Sequence, residues 1–499
     1  MDTAGHERMS SVDTAWLRMD GPCNTMMIVG VSTTDTPVRP DDFRRMIQQR
    51  WLCFPRFRHK VVADPIGASW VEDEAFDLDA HLVHETLPSP GGKGELQALA
   101  GRLAGRPLDP RRPLWQFHLI EHYRGGSAWI MRVHHCYADG IAMVRVLLSM
   151  TEQDPGPAMA PRATGRASGA KARPDRPDVL PVLGWLEHLA QPAGDIVEHA
   201  LAEAARLLEL GVHRIFHPGQ APELAAEAGG MAGEFLRVLA LPDDPRTPLR
   251  GALSGEKVVA WGAPIPLQEV RTISRALGCT INDVLMSTVA GAFGGHLRDR
   301  GFDTRGLRLR ASVPVNLRGA DEPLALGNRF GLVFVDLAPG IADPIERLQA
   351  TREAMAALKG SLQPPMSLVS LGVMGMLPSA LQGPLVELFS RKATAVVSNV
   401  PGPQAPLHMC GQRISEMHFW VPQSGSIGLG VSLLSYAGHV HFGVIADRAL
   451  VESPARIVER FAREFENLVL ATTVGLLALR ELPRPRIDTV QQTVRNRRQ

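Results

Sequence analysis

Between residues 151 and 178 the chain reads "TEQDPGPAMAPRATGRASGAKARPDRPD", a run of Pro, Gly, Ala and Arg with almost no large apolar side chain. Such a segment cannot bury enough surface to offset the entropy of ordering it, so it reads as a mobile linker that no core passes through. Whatever the 499 residues build must form on either side of it. Before it, short β-prone runs such as "MMIVGVS" mix with helical patterns. After it comes a helical stretch that includes "IVEHALAEAARLLELGV", and from about residue 245 strands and helices alternate again to about 471. The expectation is an α/β (α+β) protein of two halves, residues 1–150 and 241–471. Residues 151–240 would be linker and crossover helices, and 472–499 a basic tail. A pocket between two such halves is the usual place for a substrate.

Composition excludes several classes. A formal charge of +1 gives no electrostatic case for a nucleic-acid partner. The five cysteines, Cys23, Cys53, Cys136, Cys279 and Cys410, are odd in number and free of CxxC spacing. They read as reduced thiols of a cytoplasmic protein rather than a disulfide framework. The start "MDTAGHERMSSVDTAW" lacks the apolar core of a signal peptide. No stretch reaches the roughly 20 apolar residues that span a bilayer. The nearest, "PMSLVSLGVMGMLPSALQGPLVELF" at 365–389, is interrupted by Pro, Gly and Ser. It reads as a buried helix pair, with a lipid-facing surface or tunnel wall as the alternative. A soluble or peripheral protein is expected.

The chemistry points to "RVHHCYADGIAMVRVL", 132–147. The apolar "SAWIMRV" before the histidines is a strand, and Ile141, Val144 and Leu147 after them fall at helical spacing. His134 and His135 therefore point to opposite faces at a strand end, one toward a cleft and one toward packing behind it. Asp139 stands where the helix needs an N-cap, and Gly140 eases the turn. Neutral imidazole can take a proton near neutral pH without unusual tuning. In the second half, "GCTINDVLMSTVAGAF" offers a capping box between Thr280 and Asp283. Asn282 sits in the first turn, where its amide and free backbone N–H groups can meet developing negative charge. "HVH", 439–441, places two imidazoles on one strand, but no acidic or thiol partner stands near them in the sequence, so no metal site is expected.

"HHCYADG" fits HHxxxDG, the signature of the CoA-dependent acyltransferase superfamily that includes chloramphenicol acetyltransferase and peptide-synthetase condensation domains. "RPLW" (112–115), "TIND" (280–283), "GNRFG" (327–331) and "SNVPGP" (398–403) resemble one branch, the bacterial wax ester synthase/acyl-CoA:diacylglycerol acyltransferases, and "PRTPLRGALSG" (245–255) resembles its entry to the second domain. The resemblance runs in order from about residue 10 to 471. It implies two chloramphenicol-acetyltransferase-like domains meeting at a tunnel, with His135 as general base, His134 as its supporting neighbour and Asp139 holding the loop. "FPRFR" resembles the superfamily segment whose arginine pairs with that aspartate, which makes Arg58 the implied partner. Gly140 and Asn282 are implied to line the substrate site, with Asp283 as structural support. Acyl-CoA would be a co-substrate, diacylglycerol or a long-chain alcohol the acceptor, and a membrane or lipid-droplet surface the place of work. Neither cofactor, metal nor acyl-enzyme is implied. Cys136 as a nucleophile is the competing chemistry. A non-catalytic lipid- or partner-binding protein, and an acyltransferase for a smaller alcohol or polyketide, are the competing functions.

Overall fold

The strand Gly126–His134 is buried at all nine of its positions. The reason lies in its sequence: the apolar run 128–131 serves both covered faces, and the buried Arg132 donates to Gln116 and the Arg106 carbonyl. The computed structural model describes residues 6–64, 67–152, 237–238, 240–318, 326–358, 361, 363–377 and 379–481. There this strand lies inside a six-stranded sheet with the order His408–Met409, Gln412–Trp420, Met27–Thr34, Gly126–His134, Trp115–Tyr123, Leu82–Glu85. A seven-stranded sheet runs Phe330–Leu337, Leu309–Asn316, Ala395–Pro401, Leu429–Tyr436, His439–Asp447, Lys257–Trp261, with Ile265–Pro266 paired to His439–Asp447 beside that path. A small three-stranded sheet joins His6–Arg8, Ala68–Glu72 and His59–Ala63. Both large sheets mix parallel and antiparallel pairs, and helices cover them. This is the α/β arrangement of two halves that the sequence led us to expect.

The halves are not separable at a point in the chain. Gln412–Trp420 belongs to the 241–471 segment, yet it pairs antiparallel with Met27–Thr34, from Ile414 opposite Thr34 to Trp420 opposite Val29. In return, the helix Lys93–Ala104 packs on Lys257–Trp261 so closely that a Cβ on Gly101 would stand 2.7 Å from the Lys257 carbonyl oxygen. The buried Lys257 ammonium donates to Asn24 Oδ1 at 2.6 Å, and Asn24 Nδ2 donates to the carbonyls of Gly425 and Ile427 at 2.8 and 3.0 Å.

The first core is aromatic. Trp51 stacks on Phe57 at 3.8 Å and meets Trp115 and Phe117 edge-on. The second is mainly aliphatic, built around the helix Ile281–Asp299, with Phe442 stacked on Phe461 at 3.8 Å. The segment 365–389 forms the helices Gln363–Met376 and Ser379–Ser390, so the helix-pair reading holds. The first of these touches the helix Ser11–Arg18 at Gly375, where a Cβ would stand 1.7 Å from the Ser11 carbonyl oxygen. Among the described residues no single helix is long and apolar enough to cross a membrane. The boundary at 472 falls inside the helix Ala455–Glu481. The linker and helical stretch over 153–236, and the tail from 482, lie outside the described residues.

Candidate active site

The strand ends and the helix begins where the sequence indicates. Gly126–His134 is followed by a turn, and Asp139 caps Gly140–Met150 by accepting the Ala142 N–H at 2.8 Å. His134, His135 and Asp139 are all buried. The two histidines do part company. His134 Nδ1 accepts the Cys136 N–H at 3.1 Å, which leaves the ring proton on Nε2, 3.1 Å from Asp20 Oδ2. His134 is thus occupied on both nitrogens by the loop behind the site. "RPLW" supports the same loop: Leu114 O accepts the His134 N–H at 2.9 Å, and the Leu114 N–H donates to the Tyr137 hydroxyl oxygen at 3.0 Å.

His135 is held quite differently. Its backbone N–H donates to Met26 O at 2.7 Å, and its carbonyl accepts Asn328 Nδ2 at 2.8 Å. The ring lies against Trp16, with centroids 4.1 Å apart and planes 22° from parallel, and Phe330 packs on both at 5.5 and 5.6 Å. Its Nδ1 is buried and makes no well-formed hydrogen bond among the described residues, with the Asn328 side chain as a polar neighbour. Burial pulls the ring's pKa from 6.5 to about 4, against the opposing pull of the Asp139 charge. At neutral pH His135 is a neutral imidazole able to accept a proton.

Asp139 is not paired with Arg58. Arg58 ends the short turn Pro55–Arg58 and is exposed to solvent, whereas the Asp139 carboxylate is buried. The partner is Arg318, whose Nε and Nη2 donate to Asp139 Oδ2 at 3.2 and 2.9 Å. The Arg329 N–H adds a bond to the same oxygen at 2.8 Å. Arg318 Nη2 also donates to Gly327 O at 2.6 Å, and Gly327 bridges to Ala138. "GNRFG" therefore docks onto the HHxxxDG loop as a short strand-like edge. Its Asn328 donates to buried Asp13 Oδ1 from both the backbone and the side chain, at 3.1 and 2.8 Å. Reading the sequence missed Asp13, Trp16 and Arg318 altogether. Asn328 was visible only as part of a family motif.

In the second half, Asp283 makes the expected capping box with Thr280, at 2.8 and 3.1 Å. Asn282 Oδ1 accepts from Asn399 of "SNVPGP", which ties the first turn of the helix Ile281–Asp299 to the end of Ala395–Pro401. Cys136 is buried, and burial pushes its thiol well above the usual range. It stays protonated and is a poor nucleophile. Of the "HVH" pair, His439 is exposed and His441 buried against His418. Among the described residues no group of three or more His, Cys, Asp or Glu side chains is placed to hold a metal ion.

Two mostly apolar cavities lie near the loop, one reaching Gly140 and the other reaching Trp16, the ring stacked on His135. His135 itself is in the lining of neither. One, of about 720 Å³ with its open mouth included, is lined by Gly140, Met143 and Leu147 of the capped helix and by Gly402 and Pro403 of "SNVPGP". A Cβ on Gly140 would meet nothing within 4 Å, so its place on the wall is open space. The other, of about 1010 Å³ on the same measure, is walled by Trp16, Met19, Met366, Leu371, Met374 and Leu385. Segment 365–389 is thus both a helix pair and a cavity wall.

Two interlocked mixed sheets, one of them ending in the buried His134–Asp139 loop, define a two-domain α/β fold, and solved structures share it. The chain is similar to the wax ester synthase/diacylglycerol acyltransferase from Marinobacter aquaeolei VT8, with a TM-score of 0.64, 22% identity and coverage of 93% of this chain and 99% of that one. It is also similar in fold to the first condensation domain of the calcium-dependent antibiotic synthetase, with a TM-score of 0.57 and 16% identity over 94% of this chain and 97% of that one. Residues 9–285 match the wax ester synthase/diacylglycerol acyltransferase catalytic domain, and residues 326–469 match the WS/DGAT C-terminal domain. The chain belongs to this family and is an O-acyltransferase. A relative from Mycobacterium tuberculosis (strain ATCC 25618 / H37Rv), named a "probable diacylglycerol O-acyltransferase", is 27% identical over 96% of this chain and 98% of its own length. Another, from strain CDC 1551 / Oshkosh and named a "putative diacylglycerol O-acyltransferase", is 29% identical over 93% and 97%.

Proposed function

We propose that the enzyme transfers a fatty acyl group from acyl-CoA to the hydroxyl of a diacylglycerol or long-chain alcohol, with His135 as general base. The observation that carries this reading is the buried His135, stacked on Trp16 of one mostly apolar cavity and five residues before Gly140 of another. Nδ1 is buried, and the nitrogen assigned to the reaction is Nε2. As the acceptor oxygen attacks the thioester carbonyl, its proton passes to Nε2. The C–S bond then breaks, and the imidazolium returns that proton to the departing thiolate of CoA. The alcohol is a far weaker acid than imidazolium, so transfer accompanies attack rather than preceding it. The step balances without a metal, cofactor or acyl-enzyme, and the protonated Cys136 is consistent with that.

His134 and Asp139 position the base in this scheme. Gly140 leaves room for a substrate chain beside it, and Asn282 acts at one remove, holding Asn399 in the segment that continues to Gly402 and Pro403 of the same cavity. The cavity walls favour long hydrocarbon chains over small alcohols. All five cysteines are free, as suits the cytoplasm, and the enzyme meets its substrates at a membrane or droplet surface. Flotation with liposomes or oil droplets tests that location. The activity is tested by supplying purified protein with palmitoyl-CoA and either hexadecanol or dioleoylglycerol, then measuring CoA release and lipid product. Triacylglycerol or wax ester is expected. Turnover with short alcohols alone would replace the acceptor, and no turnover with any alcohol would leave a lipid-binding protein.

A further inference from the structure

We infer that Trp16 is a positioning residue for His135: its indole face fixes the plane of the imidazole and keeps water from it. The inference rests on the general-base reading above. A base histidine must present one nitrogen along a fixed line, and the usual device is a carboxylate or carbonyl bound to the other nitrogen. Here that other nitrogen, Nδ1, is buried and makes no well-formed hydrogen bond among the described residues; the Asn328 side chain is a polar neighbour that favours its proton without fixing it in good geometry. The close ring contacts are aromatic. Trp16 lies 4.1 Å from it and nearly parallel, while Phe330 packs on both rings at a tilt, 5.5 Å from His135 and 5.6 Å from Trp16. Rotation of the imidazole about its Cβ–Cγ bond would drive it into one ring or the other.

The indole is itself well anchored. The helix Ser11–Arg18 starts from a Ser10 cap and is held at three further places. Asp13, one turn before Trp16, accepts from Asn328, the same side chain that donates to the His135 carbonyl. Ser11 lies against Gly375 with no space for a Cβ, and Arg18 Nη1 donates to Leu377 O at 3.0 Å. One short helix therefore locates both the backbone and the ring of His135. The opposite side of the arrangement is the large cavity, whose wall includes Trp16. The indole is the partition between the base and that space. The charged and titratable groups facing His135 are Asp139, which favours its protonated form, and His134, which opposes it. Asp13 stands behind Asn328.

The test compares Trp16→Leu with Trp16→Phe. Two readouts are taken: steady-state acyl transfer, and the titration of His135 by NMR with carbon-labelled histidine, its signal assigned by its loss in His135→Ala. Trp16→Leu removes the stacking face and opens a path for water. A fall in kcat of about ten- to a hundredfold is expected, as for a small misplacement of a reacting group. KM for acyl-CoA should change by no more than a few-fold, and the His135 pKa should rise toward 6.5. Trp16→Phe keeps a smaller ring in place and should fall between Trp16→Leu and the parent in both readouts. Unchanged kcat, or lowered kcat with an unmoved His135 titration, overturns the inference. Should Trp16→Leu fail to fold, Trp16→Phe decides: partial loss with a raised pKa supports the inference, and parental values for both sink it. If the parent enzyme itself transfers no acyl group, the general-base reading fails, while the titration still decides whether Trp16 shields and fixes this ring.

Discussion

Replacing His135 by alanine should lower kcat by about 10² to 10⁴ with little change in melting temperature, the usual cost of losing a general base. Activity within a few-fold of the parent would remove His135 from the mechanism. His134→Ala should do the reverse, lowering melting temperature more than the chemical step, because it strips the Cys136 N–H and the Asp20 carboxylate of a shared partner. The Asp139–Arg318 pair makes a sharper residue-scale case. Breaking a buried pair by neutralising one member leaves the other charge uncompensated, at a cost of about 3–5 kcal/mol. Asp139→Asn should therefore be markedly less stable and less active, and adding Arg318→Gln should recover part of the stability. Arg58→Ala, at an exposed position, should stay within about 0.5 kcal/mol of the parent in denaturant unfolding. A loss at Arg58 equal to that at Arg318 would reverse the pairing.

At the scale of elements, the close approach of Ser11–Arg18 to Gln363–Met376 is the point most sensitive to added volume. Gly375→Val would place side-chain atoms where the Ser11 carbonyl stands, and the helices must separate. Overpacking of this kind costs about 1–3 kcal/mol. The shift also moves Trp16 off His135, so circular dichroism melts and kcat should fall together. What the sequence made legible belongs to this same scale. The strand end at His134, the Asp139 cap and the Thr280–Asp283 box are patterns written within a few residues, and each stands where it was expected. Contacts that cross long stretches of chain leave no local pattern. Asp13 to Asn328 and Arg318 to Asp139 join residues far apart in sequence, and neither spacing nor composition points to them. The Arg58 assignment failed for that reason: it was carried by a neighbouring motif, while the true partner comes from the other half of the molecule.

At the scale of the molecule, acid should be a general stress. Burial lowers the pKa of His81, His118, His135, His296, His418 and His441, with His441 brought to about 3. Each of these rings is harder to protonate folded than unfolded. Below pH 6.5 the unfolded chain thus takes up more protons, and stability is lost as pH falls from there toward the folded values. Buried Asp13 and Asp244, whose carboxyls are pushed up, act in the opposite sense but are fewer. The melting temperature should drop steadily between pH 7 and pH 5; a flat profile would show these rings to be hydrated in solution.

The strand Gln412–Trp420 has a consequence of its own. Because the first sheet is completed from the far end of the chain, covalent continuity between residues 152 and 237 is not what keeps the two halves together. A protein cut by an engineered protease site in that interval should elute as one particle, run as two bands once denatured, and still turn over substrate. Neither piece expressed by itself should do so, since the N-terminal piece would be left with the raw edge of Met27–Thr34, an invitation to aggregate. The same two pieces produced together should find each other and behave as a split enzyme.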